Sequence, residues 1–215
     1  MRSARLRPVL SILALCALSA CSTLGALGDA TTPLSVYELR APEGAPVARG
    51  AALARDVIVE LPTTSGVLST DRILIRPNAL EAQYLPEVRW GDEVPVMLQT
   101  LMLRALVNTG GVRYVGRRPL AGAGDFAIVT ELVDFQAEVA ADGESALVTM
   151  NMTSRMVRER DASIIASRTF TASALAPSTE TTTIIAAFDT ASDALLLDFA
   201  EWTMGALGKR LVPAS

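Results

Sequence analysis

The sequence predicts an α/β (α+β) fold in a single domain: a mixed, mostly antiparallel sheet with two amphipathic helices packed on one face. Three observations predict it. Val94, Met97, Leu98, Leu101, Met102, Ala105 and Leu106 recur at three- and four-residue spacing, which puts them on one face of a helix. Ile184, Phe188, Ala191, Leu195, Phe199 and Trp202 make a second stripe of the same kind. Between the two lie three β-prone runs, roughly 125–139, 145–158 and 164–175, the first two joined by Asp142-Gly143, a strong hairpin signal. The resulting order, β-β-β-α-β-β-β-β-α, fits one layer of sheet under one layer of helix.

The domain is expected to occupy residues 35–210, behind a targeting segment. Arg2, Arg5 and Arg7 form a positive start, and Val9 to Ala20 is an apolar run too short for a membrane span, which needs about 20 residues. Leu18-Ser19-Ala20-Cys21 closes the run and resembles a bacterial lipobox. That resemblance implies removal of residues 1–20 as a signal peptide. It also implies S-diacylglycerol and N-acyl lipid on Cys21, the one covalent group expected and no other cofactor. An ordinary secretory signal with a coincidental cysteine is the alternative. Residues 21–34 then read as a lipidated N-terminus and flexible tether, rich in Ser, Thr, Gly, Ala and Pro. Ser22 stands where an Asp would retain a Gram-negative lipoprotein at the inner membrane. By resemblance to that sorting rule, the anchor is expected in the outer membrane, with the domain facing the periplasm.

Within the domain, Val36-Tyr37-Glu38-Leu39 is a short strand candidate, and Pro42, Gly44, Pro46 and Gly50 mark a loop. Val57-Ile58-Val59-Glu60-Leu61 reads as a buried strand stopped by Pro62, and Arg72-Ile73-Leu74-Ile75-Arg76 as another ended by Pro77-Asn78. Asp92 is placed to cap the first helix, with Pro95 in its first turn and Asn108-Thr109-Gly110-Gly111 at its end. Val112 to Val115 is a short strand. In the middle long strand, Leu147, Thr149, Asn151 and Thr153 face one way and Val148, Met150, Met152 and Ser154 the other. Neither set is cleanly polar, as expected if helices cover one face and a partner part of the other. Pro177 and the Ser/Thr run 178–183 introduce the second helix, whose C-terminus suits Lys209-Arg210.

Composition narrows the chemistry. The chain has 215 residues, no histidine, two cysteines and a formal net charge of -4, which becomes -7 once the three arginines of the signal peptide leave. Without histidine there is no Ser-His-Asp or Cys-His catalysis and no His-containing metal site. Cys16 leaves with the signal peptide and Cys21 is lipidated, so no disulfide is expected. A mildly acidic chain without a Lys/Arg-rich block is a poor nucleic-acid binder. No G-x-S-x-G, P-loop or G-x-G-x-x-G motif follows a strand. The carboxylate pairs Glu131 with Asp134 and Glu159 with Asp161, and the helical Asp189, Asp193 and Asp198, read as solvated surface charge. No EF-hand spacing appears. No catalytic residue and no metal ligand is therefore expected.

Asp56-Val57-Ile58-Val59-Glu60-Leu61-Pro62, Asp71-Arg72-Ile73-Leu74-Ile75-Arg76, and Arg89-Trp90 ahead of an amphipathic helix resemble the ABC-type transport auxiliary lipoproteins, a family that includes the lipoprotein of the paraquat-inducible (Pqi) system. The likeness covers most of residues 35–208. It departs at Ser69-Thr70, where the family often has Tyr-Leu, and at Gly91-Asp92, where it commonly has Ala-Glu. The resemblance implies a non-enzymatic, outer-membrane lipoprotein beside an ABC transporter whose substrate-binding component is an MCE-domain protein, moving phospholipid or other apolar molecules between membranes. Arg89 and Trp90 match the family's most specific dipeptide and suit an interface hot spot. With Tyr84 and Leu85 of the same loop they are the candidate partner-binding residues. The competing reading packs Trp90 over the start of the helix and pairs Arg89 with a nearby acid.

Two other functions stay open. A lipid carrier would use Met97, Met102, Met150 and Met152 to line an adaptable apolar cavity, although such spacing also suits core. An envelope-assembly lipoprotein would differ by its partner. A homo-oligomer is compatible with either.

Overall fold

The computed structural model describes residues 34–120 and 122–214. The signal peptide, Cys21 and nearly all of the tether lie outside the described residues. The chain runs β1 (Ser35–Tyr37), β2 (Val47–Ala48), β3 (Leu53–Val59), β4 (Thr63–Thr64), β5 (Leu74–Asn78), β6 (Glu81–Tyr84), β7 (Val88–Trp90), α1 (Val94–Thr109), β8 (Val112–Gly116), β9 (Phe126–Val139), β10 (Ala146–Arg158), β11 (Ser163–Ala176), α2 (Thr181–Ala206) and β12 (Leu211–Val212). The described residues from Val36 onward form one compact unit.

The mixed, mostly antiparallel sheet with two helices on one face is present as expected. Its strand order is β11-β10-β9-β3-β8. β9, β10 and β11 form a long antiparallel meander, while β3, β4 and β5 lie in turn along the other side of β9, each parallel to it. β3 also pairs in parallel with β8, and α1 lies on the connection between them. Parallel neighbours need such a crossover. Gly143, in the left-handed region at φ 73°, closes the β9–β10 turn where Asp142-Gly143 signalled it.

The pleat of β10 separates two environments. Val148, Met150, Met152, Ser154 and Met156 are fully buried under the helices, whereas Leu147 is 43% exposed and Thr149, Asn151 and Thr153 are half-exposed. The buried hydroxyls of Ser154 and Thr130 satisfy each other at 2.8 Å. α2 packs on β10 and β11, α1 against β3, β8 and α2, and both stripes join one core. Trp90 stands edge-on to Phe135 and Phe188, with ring centroids 6.0 and 5.3 Å away. Phe170, Phe199 and Trp202 form a second aromatic group.

Several local expectations are corrected. The N-cap of α1 is Glu93, not Asp92, and it makes no side-chain cap bond. Instead the Val94 N–H reaches the Thr70 carbonyl at 3.0 Å, and Pro95 has no N–H to satisfy. Gly110 ends α1 at φ 60°, as its position suggested. Pro77 does not end β5. The strand runs through it because pairing with β9 stops at Arg76 and the ladder to β6 is broken between Ile75 and Asn78, so no lost N–H is missed. β6 and β7 lie where no strand was expected: they are only four and three residues long, and all four residues of β6 are exposed. Lys209 serves the end of α2 through its backbone, whose N–H donates to the Met204 carbonyl at 2.8 Å, and not through its charge. Its ammonium donates to the carbonyls of Arg49 (3.0 Å) and Ala51 (2.5 Å).

A buried amide locks α1 to the sheet. Gln99 Nε2 donates to the Val59 carbonyl at 2.9 Å, and Arg117 Nε donates to Gln99 Oε1 at 2.8 Å. Arg117 also donates to the Thr100 hydroxyl at 2.6 Å. Gln99→Leu leaves the buried Val59 carbonyl without a donor and Arg117 without its acceptor, so a loss of about 1–3 kcal/mol is expected in urea denaturation. An unchanged midpoint would show the clasp to be energetically idle.

Candidate functional site

The loop that joins β6 to α1 carries all four candidate partner-binding residues. Tyr84 ends β6, Leu85 and Pro86 turn the chain, and Glu87 takes up a left-handed conformation at φ 59° before β7 delivers Arg89 and Trp90. Opposite this loop runs 67–73, and the two are clipped together by the residues that carry the family resemblance. The Trp90 N–H donates to the Asp71 carbonyl at 2.7 Å, and Arg89 Nη1 donates to the Asp71 carboxylate at 3.1 Å. Arg72 Nη2 donates to the Leu85 carbonyl at 3.3 Å, and its guanidinium lies 5.7 Å from the centre of the Tyr84 ring. The Leu85 N–H returns to Ile73 O at 2.9 Å, and the Tyr84 hydroxyl donates to Val67 O at 3.1 Å. Gly91 N–H reaches Tyr37 O, and a Cβ on Gly91 would come within 2.9 Å of the Glu38 side chain.

Burial divides the four candidates. Trp90 is wholly buried and Leu85 is 6% exposed, so neither side chain is offered to a partner on this surface. This corrects the hot-spot reading for both: Trp90 is the largest fully buried side chain of the core, and Leu85 belongs to the same cluster. Arg89 is half-exposed in its ion pair with Asp71, and Tyr84 is 36% exposed. An ion pair this open contributes about 0–1 kcal/mol, so it positions the loop more than it stabilises it. Asp71 is the member missed from the sequence. Its place just before Arg72 was visible, but its distance of 18 residues from Arg89 hid the pairing.

The carboxylates behave as structural charge. Asp161 accepts from the Ser163 hydroxyl at 2.6 Å and N–H at 3.2 Å, and from Arg158 at 3.4 Å. These bonds, the hydroxyl's first, lower its pKa from 3.8 to about 2. Because the folded value is the lower one, this contribution is complete above the unfolded pKa and fades as pH falls toward about 2. Side-chain NMR is expected to place the Asp161 midpoint near 2, and Ser163→Ala to raise it; an ordinary midpoint in the parent protein would contradict the bonding. Asp125 is held below its ordinary value chiefly by the Asp56 N–H at 2.9 Å, with Arg55 at 3.1 Å helping. Asp193 is pushed up by burial, then by Asp189 and Glu43. Asp198 pairs with Arg168 at 2.7 Å. Among the described residues, no three or more His, Cys, Asp or Glu come together as metal ligands.

The methionines weighed as a cavity lining are buried in the core. Met97 borders a hollow of about 90 Å³ that also takes in Glu38, Asp92 and Arg104. Met102, Met150 and Met152 line neither this hollow nor the larger ones beside Arg55 and beside Leu175.

A family model described as "ABC-type transport auxiliary lipoprotein component" matches residues 37–200. An uncharacterized protein of Bradyrhizobium diazoefficiens is 26% identical over 181 residues, which is 82% of this chain. The chain spans about half, 47%, of that relative's length. A crystal structure of a Xanthomonas campestris protein assigned to the DUF330 family superimposes with a TM-score of 0.72 at 22% identity, covering 81% of this chain and 97% of the other. A second crystal structure, of an uncharacterized protein, gives 0.58 at 12% identity over 79% and 97%. At these identities the two structures speak for the fold alone.

Proposed function

The chain belongs to the ABC-type transport auxiliary lipoprotein family, and from that premise we propose that it is a non-enzymatic adaptor tethered in the outer membrane through lipid on Cys21, facing the periplasm. Its partner in this reading is the MCE-domain substrate-binding protein of an ABC system that moves phospholipid or other apolar molecules between membranes. The observation that carries the adaptor role is the packed core. Four methionines that a carrier would expose to a lipid chain, two on α1 and two on β10, are instead part of the buried core between helices and sheet, and the residues of the family pattern are spent on clipping one loop to another. Methionines packed in a core support docking over the enclosing of cargo.

The test is affinity purification of the lipidated protein from gently crosslinked membranes, with partners identified by mass spectrometry. Recovery of an MCE-domain protein supports the adaptor reading. Recovery of an outer-membrane assembly complex in its place overturns it in favour of envelope assembly. Phospholipid co-purifying in stoichiometric amount with the delipidated domain would overturn it in favour of a carrier.

A further inference from the structure

β11 closes one side of the sheet. Among the described residues it pairs with β10 alone, so the backbone groups on its outer side have no strand partner. At 14 residues it is far longer than the other outermost strands, β8 with five and β6 with four. Those two carry charges, Arg113 and Glu81, of the kind that discourage strand addition. On β11 the protective features gather at one end. Ile165 is bulged out of register, and Arg168, the strand's single charge, is drawn to Asp198 on α2. From Thr169 to Ala176 there is no charge, proline, glycine or bulge.

The surroundings of this unguarded half are also neutral. On the open face Thr169, Thr171 and Ser173 stand opposite Thr153, Asn151 and Thr149 of β10. On the helix side, an open groove of about 390 Å³ is lined by Leu175, Pro177, Thr183, Ala186 and Thr190. Eight residues of strand extend about 26 Å at about 3.3 Å each. A free ladder of N–H and C=O groups is complementary to one thing, another extended backbone, and the uncharged flanks select uncharged side chains on it.

We infer that Thr169–Ala176 is a strand-addition site, which takes up a six- to eight-residue, uncharged, extended segment of the ABC system's periplasmic component. Main-chain bonds supply the affinity, and alternate side chains of the added strand enter the Leu175–Thr190 groove. The inference rests on the adaptor reading and names the surface by which it works.

The experiment compares amide hydrogen exchange in the full lipidated chain alone and in the complex recovered with that component. The outer amides of Thr169–Ala176 are expected to exchange freely in the chain alone and at least about ten-fold more slowly in the complex. The double variant Thr171→Lys/Ser173→Lys, which gives the edge the missing charges, is expected to weaken the complex about ten-fold or more. Thr149→Lys, on the same face but one strand inward, leaves it intact, and equal melting temperatures show that all forms are folded. A complex that forms while these amides still exchange freely overturns the inference and leaves the adaptor reading standing. Protection already present in the chain alone, in a dimer, overturns it as well, because a second copy then occupies the edge. Absence of any ABC component overturns both.

Discussion

Trp90→Ala is expected to lower the stability of the domain by about 3–5 kcal/mol, the range for deleting a large aromatic side chain from a core. The indole is fully buried and wedged between Phe135 and Phe188, which are themselves in contact at 5.2 Å between ring centres. Its removal costs both the apolar burial and two edge-on aromatic contacts, and the rigid sheet on one side limits collapse of the cavity. Trp90→Phe should cost much less. It keeps a ring in place and removes the indole N–H, which is buried without a hydrogen-bond partner among the described residues. Arg89→Ala, by contrast, should cost under about 1 kcal/mol because its ion pair is open to water. Urea denaturation of the three variants distinguishes the roles. A Trp90→Ala protein with the parent midpoint would return Trp90 to the surface.

Cys21→Ala is expected to abolish both lipid incorporation and removal of residues 1–20. Three acyl chains would give firm anchoring, at about 0.8 kcal/mol for each buried CH₂, where a single chain is marginal. Among the described residues no helix is long and apolar enough to cross a membrane. Metabolic labelling with an alkyne fatty acid, read with the mass of the product, checks this directly. The parent should be labelled and shortened, the variant unlabelled and full-length. A parent that is shortened but unlabelled would mean an ordinary secretory signal and would remove the anchor from the adaptor reading.

Much of the fold was legible because its determinants are local. Both helices declared themselves through apolar stripes, and the three long strands fell within a residue or so of their observed limits. Asp142-Gly143 and Gly110 acted where their left-handed preference is needed. What escaped were segments whose structure comes from distant partners. β6 is exposed throughout and exists because β5 bonds to it; β7 lies beside Asp71, whose carbonyl takes the Trp90 N–H. Pro77 looked like a stop and became a strand residue because both its ladders are interrupted there.

The candidate site divides in the same way. Asp71-Arg72 and Arg89-Trp90 could be picked out through their resemblance to the family pattern, but a tryptophan beside an arginine suits a core and an interface equally well. The sequence by itself determined the two-helix, mixed-sheet architecture and the family, because period, turn chemistry and composition act over a few residues each. The tertiary structure alone decided that Trp90 faces inward while Arg89 faces water, that Asp71 joins the two dipeptides, and that β11 ends the sheet with its outer side open. Those outcomes depend on which chain segments meet across the sheet, and no local preference encodes that.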